Sequence, residues 1–436
     1  MKSDHTSWGL TGQKSSKIHP IKWRTDGLPE VKDESSLLAY GNGRSYGDSC
    51  LNKEGMTLDT KALNHLIAFD EKTHILRCEG GVLLADILEN YVAKGWFVPV
   101  TPGTKFVTIG GAVANDVHGK NHHRRGSFGN HVIRLCLRRS NGETIVCSRT
   151  KNAELFSATI GGLGLTGLIL WVDVLLMPID SDSMVVETTK FENLDQFFEL
   201  SKASEWKFEY NVAWIDCASS KAMGRGIFMQ ANHCSRSEDV HKKNQSIRTK
   251  SLPFNLPSFV VNNVTSKLFN KIYYNAHPPG VLEQIVGYNK FFYPLDKVVN
   301  WNRLYGKKGF FQYQCVVPLE DGKNTIQTML NDVEKSGMVS PLAVIKTFGE
   351  IESKGMMSFP RKGVTLAMDF PNKAPSDLSL FDRFDDLVAE AGGAVYPAKD
   401  ARMKAENFRR FFPRVEEFEK YIDPAFSSSF WQRVMG

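Results

Sequence analysis

The sequence lacks the features that staple, secrete or anchor a chain. Its seven cysteines are scattered, odd in number and form no CxxC pair, which argues against a disulfide framework and a structural zinc site. The first residues, MKSDHTSWGLTGQ, contain no apolar core of a secretory signal. The longest apolar run, residues 168–177, includes Asp173 and is too short to span a bilayer. We therefore expect a cytoplasmic protein that is either soluble or peripheral at a membrane.

A large excess of one charge is also missing. The chain carries 54 Lys and Arg against 48 Asp and Glu, a formal net charge of +6. Such a mild excess suits anionic ligands or a membrane surface, but no dense basic tract with interleaved aromatic residues predicts nucleic-acid binding. His118, His122 and His123 have no accompanying acidic cluster, so we predict no metal site.

Three glycine-rich stretches stand out, at residues 41–49, 101–119 and 160–169. Glycine-rich turns let backbone N–H groups approach phosphate oxygens. A dinucleotide fingerprint of the GxGxxG type would need glycine at Tyr46 and a helix directly afterwards, and no GxxxxGK[ST] motif is present. Each stretch alone is typical of structural turns. Together, each beside a strand, they indicate a long ligand lying across several loops.

The order of predicted elements indicates an α+β fold. Apolar residues at i, i+3 and i+4 spacing predict a helix at residues 82–94, which Gly95 ends. Residues 310–317, 342–348, 364–370 and 394–396 read as strands, and residues 324–335 and 376–391 as helices. The resulting β-α-β-β-α-β order predicts an antiparallel sheet backed by helices, which suits a substrate-binding or cap domain.

Residues 241–273 combine six basic residues and many apolar ones with no acidic residue. Two interpretations stay open for this segment. One is a long ordered loop followed by a surface helix. The other is a mobile basic and apolar flap, over a site or against a membrane surface.

The glycine stretches also carry a family resemblance. The blocks GNGRSYGDS, PGTKFVTIGGAVANDVHGKNHH and GGLGLTG resemble the FAD domain of the vanillyl-alcohol-oxidase superfamily, with its PCMH-type FAD-binding fold. The later blocks FFQYQCVVP, VIKTFG, AMDFP and YPAKDAR resemble the superfamily members that oxidise decaprenylphosphoryl-ribose-like lipid sugars. The resemblance implies an FAD-binding domain of residues 1–180, completed by residues 394–436, and a substrate-binding domain of residues 181–393.

The resemblance also implies which residues hold the cofactor. Many members attach FAD covalently through a histidine in the first glycine loop, where this chain has Arg44, so non-covalent FAD is expected. The positions that match the family's flavin contacts are Gly41, Asn42, Gly43, Arg44, Ser45, Tyr46, Pro102, Gly103, Thr104, Thr108, Gly110, Gly111, Ala114, Asn115, Val117, His118, Gly119, Gly164, Ile169 and Tyr396.

Lys399, Tyr46 and His118 are the implied catalytic residues. Lys399 matches the lysine at the family's reacting centre, where an ammonium could stabilise a developing alkoxide or a reduced-flavin anion. Without the resemblance, a solvated lysine paired with Asp400 would be the simpler interpretation. His118 would hydrogen-bond near the flavin or the substrate.

The implied substrate-binding residues are Trp214, Gln312, Gln314, Lys346, Thr365 and Lys399. Gln312 and Gln314 project from one face of their strand, either toward sugar hydroxyls or from an exposed sheet face. Lys346 would meet a phosphate or hydroxyl, or form a salt bridge. The family has asparagine and cysteine where this chain has Thr365 and Ala367.

Three functional hypotheses follow. The first is oxidation of a secondary hydroxyl on a polyprenyl-phosphate-linked sugar to a keto intermediate, with an NAD(P)H-dependent short-chain reductase as the partner that completes a 2′-epimerisation. The second is an FAD-dependent oxidase of a soluble alditol or aldonolactone. The third, a non-catalytic binding protein that has kept the fold, is disfavoured by Lys399, Tyr46 and the paired glutamines.

Overall fold

The computed structural model describes residues 5–31, 35–218, 224–235, 250–257, 260–338, 340–376 and 378–436. In the 241–273 segment, residues 241–249, with three of its six basic residues, and residues 258–259 lie outside the described residues. The strands within the described ranges are β1 (Lys17–Pro20), β2 (Leu37–Tyr40), β3 (Met56–Asp59), β4 (Leu66–Asp70), β5 (Ile75–Glu79), β6 (Trp96–Phe97), β7 (Val132–Arg138), β8 (Thr144–Ser148), β9 (Leu168–Leu175), β10 (Met177–Pro178), β11 (Ser183–Phe191), β12 (Tyr210–Ile215), β13 (Gly226–His233), β14 (Lys250–Ser251), β15 (Val281–Gly287), β16 (Val298–Val299), β17 (Phe310–Val317), β18 (Ala343–Phe348), β19 (Gly363–Pro371) and β20 (Ala394–Val395).

Helices fill the connections between these strands and form the C-terminal stretch. The α-helices are α1 (Leu84–Tyr91), α2 (Ile109–Ala114), α3 (His122–Arg125), α4 (Ala153–Thr159), α5 (Leu194–Ser204), α6 (Asn263–Asn275), α7 (Tyr288–Phe292), α8 (Leu319–Ser336), α9 (Leu378–Glu390), α10 (Ala405–Phe411), α11 (Val415–Glu419) and α12 (Ser429–Met435). Short 3-10 helices add Asp48–Cys50, Val92–Lys94, Phe128–His131, Pro294–Lys297 and Trp301–Tyr305.

Two sheets form the N-terminal part of the fold. A three-stranded parallel sheet has the order β1-β3-β2, and a five-stranded antiparallel sheet has the order β4-β5-β9-β7-β8. The predicted helix at residues 82–94 is confirmed as α1 with its 3-10 extension. Gly95 ends that extension in the left-handed conformation (φ 84°), which a residue without a Cβ adopts at little cost.

An eight-stranded antiparallel sheet dominates the rest, in the order β15-β11-β13-β12-β18-β19-β17-β20. Its last four strands, with α8 and α9, confirm the predicted β-α-β-β-α-β unit. The strand from Phe310 to Val317 has the predicted ends, and α8 begins five residues earlier than predicted, at Leu319. Buried apolar residues of β17, β18, β19, α8 and α9 form one core cluster with α10 and α12.

The change from the smaller N-terminal sheets to the eight-stranded sheet falls near residue 180, the predicted domain boundary, but the boundary itself stays a prediction. The strands of the three-stranded and five-stranded sheets, and the pair β6 and β10, end by Pro178, and the eight-stranded sheet starts at Ser183. The short strand β20, which follows residue 393, pairs with β17 in the large sheet. The assignment of residues 394–436 to the cofactor-binding domain therefore stays a prediction.

Candidate functional site

The glycine loops and the eight-stranded sheet line one cavity of about 760 Å³. All twenty positions predicted to contact the cofactor lie on its wall, and so do Trp214, Gln312, Gln314, Lys346 and Lys399. Residues far apart in the sequence therefore surround one space, as a long ligand across several loops requires. That these residues contact FAD and substrate stays a prediction.

Lys399 and Tyr46 are held together by their backbones. The Tyr46 N–H donates to the Ala398 carbonyl (2.8 Å), and the Lys399 Nζ lies 3.6 Å from the centre of the Tyr46 ring. The approach is so close that a Cβ on Gly47 would lie 1.6 Å from the Asp400 carbonyl oxygen. Glycine at position 47 is therefore what lets the first glycine loop pack against residues 396–400.

Asp400 anchors this loop and does not pair with Lys399. Its carboxylate accepts from Arg433 (2.9 Å) and from the Met403 N–H (2.9 and 3.0 Å), and it lies 3.7 Å from Arg402. Burial raises the pKa of Asp400, but the two arginines lower it by a larger amount. The pKa is therefore lowered overall, and the carboxylate stays charged. The simpler interpretation of Lys399, a solvated lysine paired with Asp400, is therefore wrong.

The two glutamines of β17 face the cavity, so the exposed-sheet interpretation is wrong. Gln314 is buried, and its Nε2 donates to His118 Nε2 (2.9 Å). Gln312 donates to the buried carboxylate of Asp369, its partner on β19, and also contacts the Tyr46 hydroxyl. Thr365 is the one predicted substrate-binding residue that does not line the cavity: it lies behind Gln314, whose Nε2 donates to its Oγ1 (3.3 Å).

His118 is a neutral imidazole in this setting. Burial, then the charges of Lys346, His122 and Lys399, hold its pKa well below the usual range. Because its Nε2 accepts the proton of the Gln314 amide, its own proton lies on Nδ1. That buried Nδ1 has no protein partner within the described ranges, so it is available to donate to a ligand in the cavity.

Three lysine amines, those of Lys120, Lys346 and Lys399, line the cavity and have lowered pKa values. The pKa values of Lys120, Lys346 and Lys399 are each lowered to about 7, mainly by burial, and for Lys120 and Lys399 the charge of Lys346 is part of this lowering. The charge of Asp369 acts in the opposite direction on Lys399, and burial raises the pKa of Asp369 itself to about 7. Lys346 forms no ion pair with any described residue, so the salt-bridge interpretation has no support here.

The first glycine loop provides a setting that fits the phosphates of a dinucleotide. Arg44 lies 4.1 Å over the Trp8 ring, and its buried Nε has no protein partner among the residues described. Burial lowers the pKa of Arg44, and Asp296 partly offsets this. A buried guanidinium N–H without a partner, beside backbone turns, is suited to an anionic oxygen.

Several residues at or near the cavity wall were not predicted from the sequence. Lys120 directly follows the glycine block; its Nζ donates to the Phe291 carbonyl and lies over the Phe291 ring. Asp369 does not line the cavity but accepts from Gln312, and as an acid inside an apolar strand pattern it was a signal that could have been read. Asp296 and Phe269 have no signal of this kind, since only the tertiary fold brings them to the cavity.

The described residues contain neither a metal-binding cluster nor a membrane-spanning helix. No group of three or more His, Cys, Asp or Glu side chains there could hold a metal ion. No helix in those ranges is long and apolar enough to cross a membrane.

Comparison with known proteins agrees with the geometry. A family model described as an FAD binding domain matches residues 31–148. Decaprenylphosphoryl-beta-D-ribose oxidase of Mycolicibacterium smegmatis is 34% identical over 412 residues, covering 91% of this chain and 89% of that protein. The chain belongs to the FAD-binding PCMH-type family. Within this family, the protein is an FAD-dependent oxidoreductase with the mixed α+β fold expected from the sequence.

Two other proteins match over different lengths. An uncharacterized protein of Streptomyces coelicolor is 29% identical over 81% of this chain and all of its own length. L-Gulonolactone oxidase of Bos taurus is 28% identical over 171 residues, 39% of this chain and 38% of that protein.

Proposed function

We propose that the protein oxidises a secondary hydroxyl of a polyprenyl-phosphate-linked sugar, of the decaprenylphosphoryl-ribose type, to a ketone. The observation that carries the proposal is the polar wall of an otherwise largely apolar cavity, where Lys399, Tyr46 and Gln312 lie together. Similarity along nearly the whole chain to decaprenylphosphoryl-beta-D-ribose oxidase supports the substrate class.

Bound FAD supplies the hydride acceptor for this oxidation. The Lys399 amine, with its pKa near 7, is able to accept the proton that the hydroxyl loses. Gln312 is oriented by Asp369 and Gln314 by Thr365 and His118, so both amides are positioned to bind sugar hydroxyls.

The three amines also suit the phosphate of the proposed substrate. A phosphate entering beside Lys346 or Lys120 would favour their charged forms and raise their pKa values. We propose in addition that FAD is held without a covalent bond, because Arg44 stands in place of a histidine. Completion of a 2′-epimerisation would need a separate reductase, and we propose an NAD(P)H-dependent short-chain enzyme as this partner.

A soluble alditol or aldonolactone is the second candidate substrate. The partial similarity to bovine L-gulonolactone oxidase favours it. A substrate of this kind has no phosphate, so the amines of Lys120 and Lys346 would have no anionic group to bind.

Two measurements test the proposal. Acid precipitation of the purified holoprotein should leave the flavin absorbance in the supernatant; flavin in the pellet would contradict non-covalent binding. Anaerobic flavin bleaching should then be compared for detergent-dispersed polyprenylphosphoryl ribose, ribose 1-phosphate, xylitol and gulonolactone. Fast bleaching by the lipid sugar alone supports the proposal, whereas equal or faster bleaching by xylitol or gulonolactone supports the second candidate.

A further inference from the structure

Helix α6 has its polar and apolar faces reversed. Ser266, Asn270 and Tyr274, one turn apart, are buried against the eight-stranded sheet. Val264, Leu268 and Ile272, also one turn apart, are 76%, 57% and 60% exposed. A helix on the surface of a soluble domain normally buries its apolar stripe, so this stripe calls for another apolar environment.

Specific contacts fix this orientation of α6. The Asn270 Nδ2 donates to the buried carboxylate of Asp216 (2.9 Å). The Tyr274 ring lies between Lys190 and Arg225, each 4.3 Å from its centre. These buried contacts hold the polar face inward, so the apolar stripe points away from the protein.

The two flanks of the stripe differ in a way that indicates what covers it. Lys267 and Lys271 lie on one flank, and residues 241–282 contain no Asp or Glu. Phe269 and Tyr273 lie on the other flank and line the cavity. Phe254, 64% exposed, follows β14, which pairs with the cavity-lining β16. Phe269, which is 52% exposed, thus links the outer surface of α6 to the lining of the cavity.

We propose that α6 docks the protein on an anionic lipid bilayer, with Val264, Leu268 and Ile272 inserted among the lipids and the lysines against the head groups. An apolar stripe with a basic flank and no acidic residue matches an anionic lipid surface, since interfacial helices combine these two contacts. The docking stands on α6 alone. Its use, the transfer of a lipid-linked sugar from the bilayer past Phe269 into the cavity, rests on the proposed function.

Flotation of the FAD-loaded protein with vesicles tests the docking. Wild type should bind phosphatidylcholine vesicles containing phosphatidylglycerol more strongly than pure phosphatidylcholine vesicles. The double variant Leu268→Ser/Ile272→Ser should bind the anionic vesicles about tenfold or more weakly, and Lys267→Gln/Lys271→Gln should lose the preference for anionic lipid. Trp206→Ser, which removes an 80% exposed side chain elsewhere, is the matched control and should bind as wild type does.

Wild-type binding by the Leu268→Ser/Ile272→Ser variant, or no binding by the wild type, would overturn the proposal. A dimer in gel filtration that this variant dissociates would show that a second copy covers the stripe, and would overturn it as well. Bleaching by a short-chain, water-soluble lipid sugar should be unchanged in the variant, because these exposed side chains are not in the catalytic wall. If no lipid sugar bleaches the flavin while flotation behaves as expected, the proposed substrate fails and the docking stands.

Discussion

Among single residues, Lys399 carries the most direct test of the chemistry. Lys399→Met should keep FAD bound but slow flavin reduction by substrate by about 100-fold or more, because the amine proposed to accept the hydroxyl proton is then missing. Stopped-flow bleaching measures this rate. Lys404→Met removes a largely exposed lysine from the same segment and should keep the wild-type rate. An unchanged rate in Lys399→Met would remove Lys399 from the mechanism.

Asp369 sets the pH range in which Lys399 is a base. Its negative charge raises the pKa of Lys399, so Asp369→Asn should lower that pKa. The neutral amine then forms at lower pH, and the rising limb of the reduction rate should shift toward acid, while the Asn oxygen still accepts from Gln312. Rates across pH 5 to 9, on the ~7 scale of these groups, measure the shift. Asp332→Asn, in a surface pair with Arg383, should leave the profile in place; a profile that also stays in place for Asp369→Asn would contradict this role.

Individual elements were predictable where a local pattern sets them. The β-α-β-β-α-β unit was readable because each apolar run matches one strand or one helix face and glycines mark the ends. Thr365 does not line the cavity, for a different reason. Alternation along a strand predicts which face of the sheet a side chain lies on, but not whether that side chain reaches the cavity. Here Gln314 of β17 lies between Thr365 of β19 and the cavity. Strands β11, β13 and β15 pair over long sequence separations, which no local pattern specifies.

The packing of the first glycine loop gives a prediction at this same scale. Gly47→Ala should separate the loop from residues 396–400, because its Cβ would overlap the Asp400 carbonyl. Weaker FAD binding and a lower Tm are expected, measured by flavin content after gel filtration and by thermal unfolding. Gly27→Ala, whose Cβ would meet no atom within 4 Å, is the control and should leave both unchanged. Full flavin content in Gly47→Ala would contradict the proposed role of this close approach.

At the scale of the whole molecule, Arg433 links two segments that lie far apart in the sequence. It donates to Asp48 (2.8 Å), near the first glycine loop, and to Asp400 (2.9 Å), beside Lys399. Arg433→Leu removes the cation that pairs with the buried carboxylate of Asp48 and leaves Asp400 with Arg402 alone, and it should lower the free energy of unfolding by about 3 kcal/mol. Urea unfolding measures the change.

Arg414→Leu provides the contrast for that experiment. Arg414 pairs with Glu417 on the surface, where such pairs contribute about 0.5 kcal/mol or less. Equal effects of the two substitutions would show that Arg433 has no special part in closing the structure.

The site as a whole was predictable only through motifs. The glycine loops, Lys399 and the two glutamines stand in recognisable blocks, and the structure places all of them on one wall. Asp296 and Phe269 reach this wall through chain folding alone. Their contribution to the charge and the opening of the cavity could not be read from sequence spacing.

The joining of residues 46 and 48 to residues 398–433 has a consequence for biosynthesis. On the ribosome, the first glycine loop emerges long before Lys399, Asp400 and Arg433 do, so the nascent cavity lacks one side. Non-local contacts of this kind form only when both partners have been synthesised. Flavin loading must therefore follow release of nearly the entire polypeptide, and nascent chains stalled before residue 396 should emerge colourless.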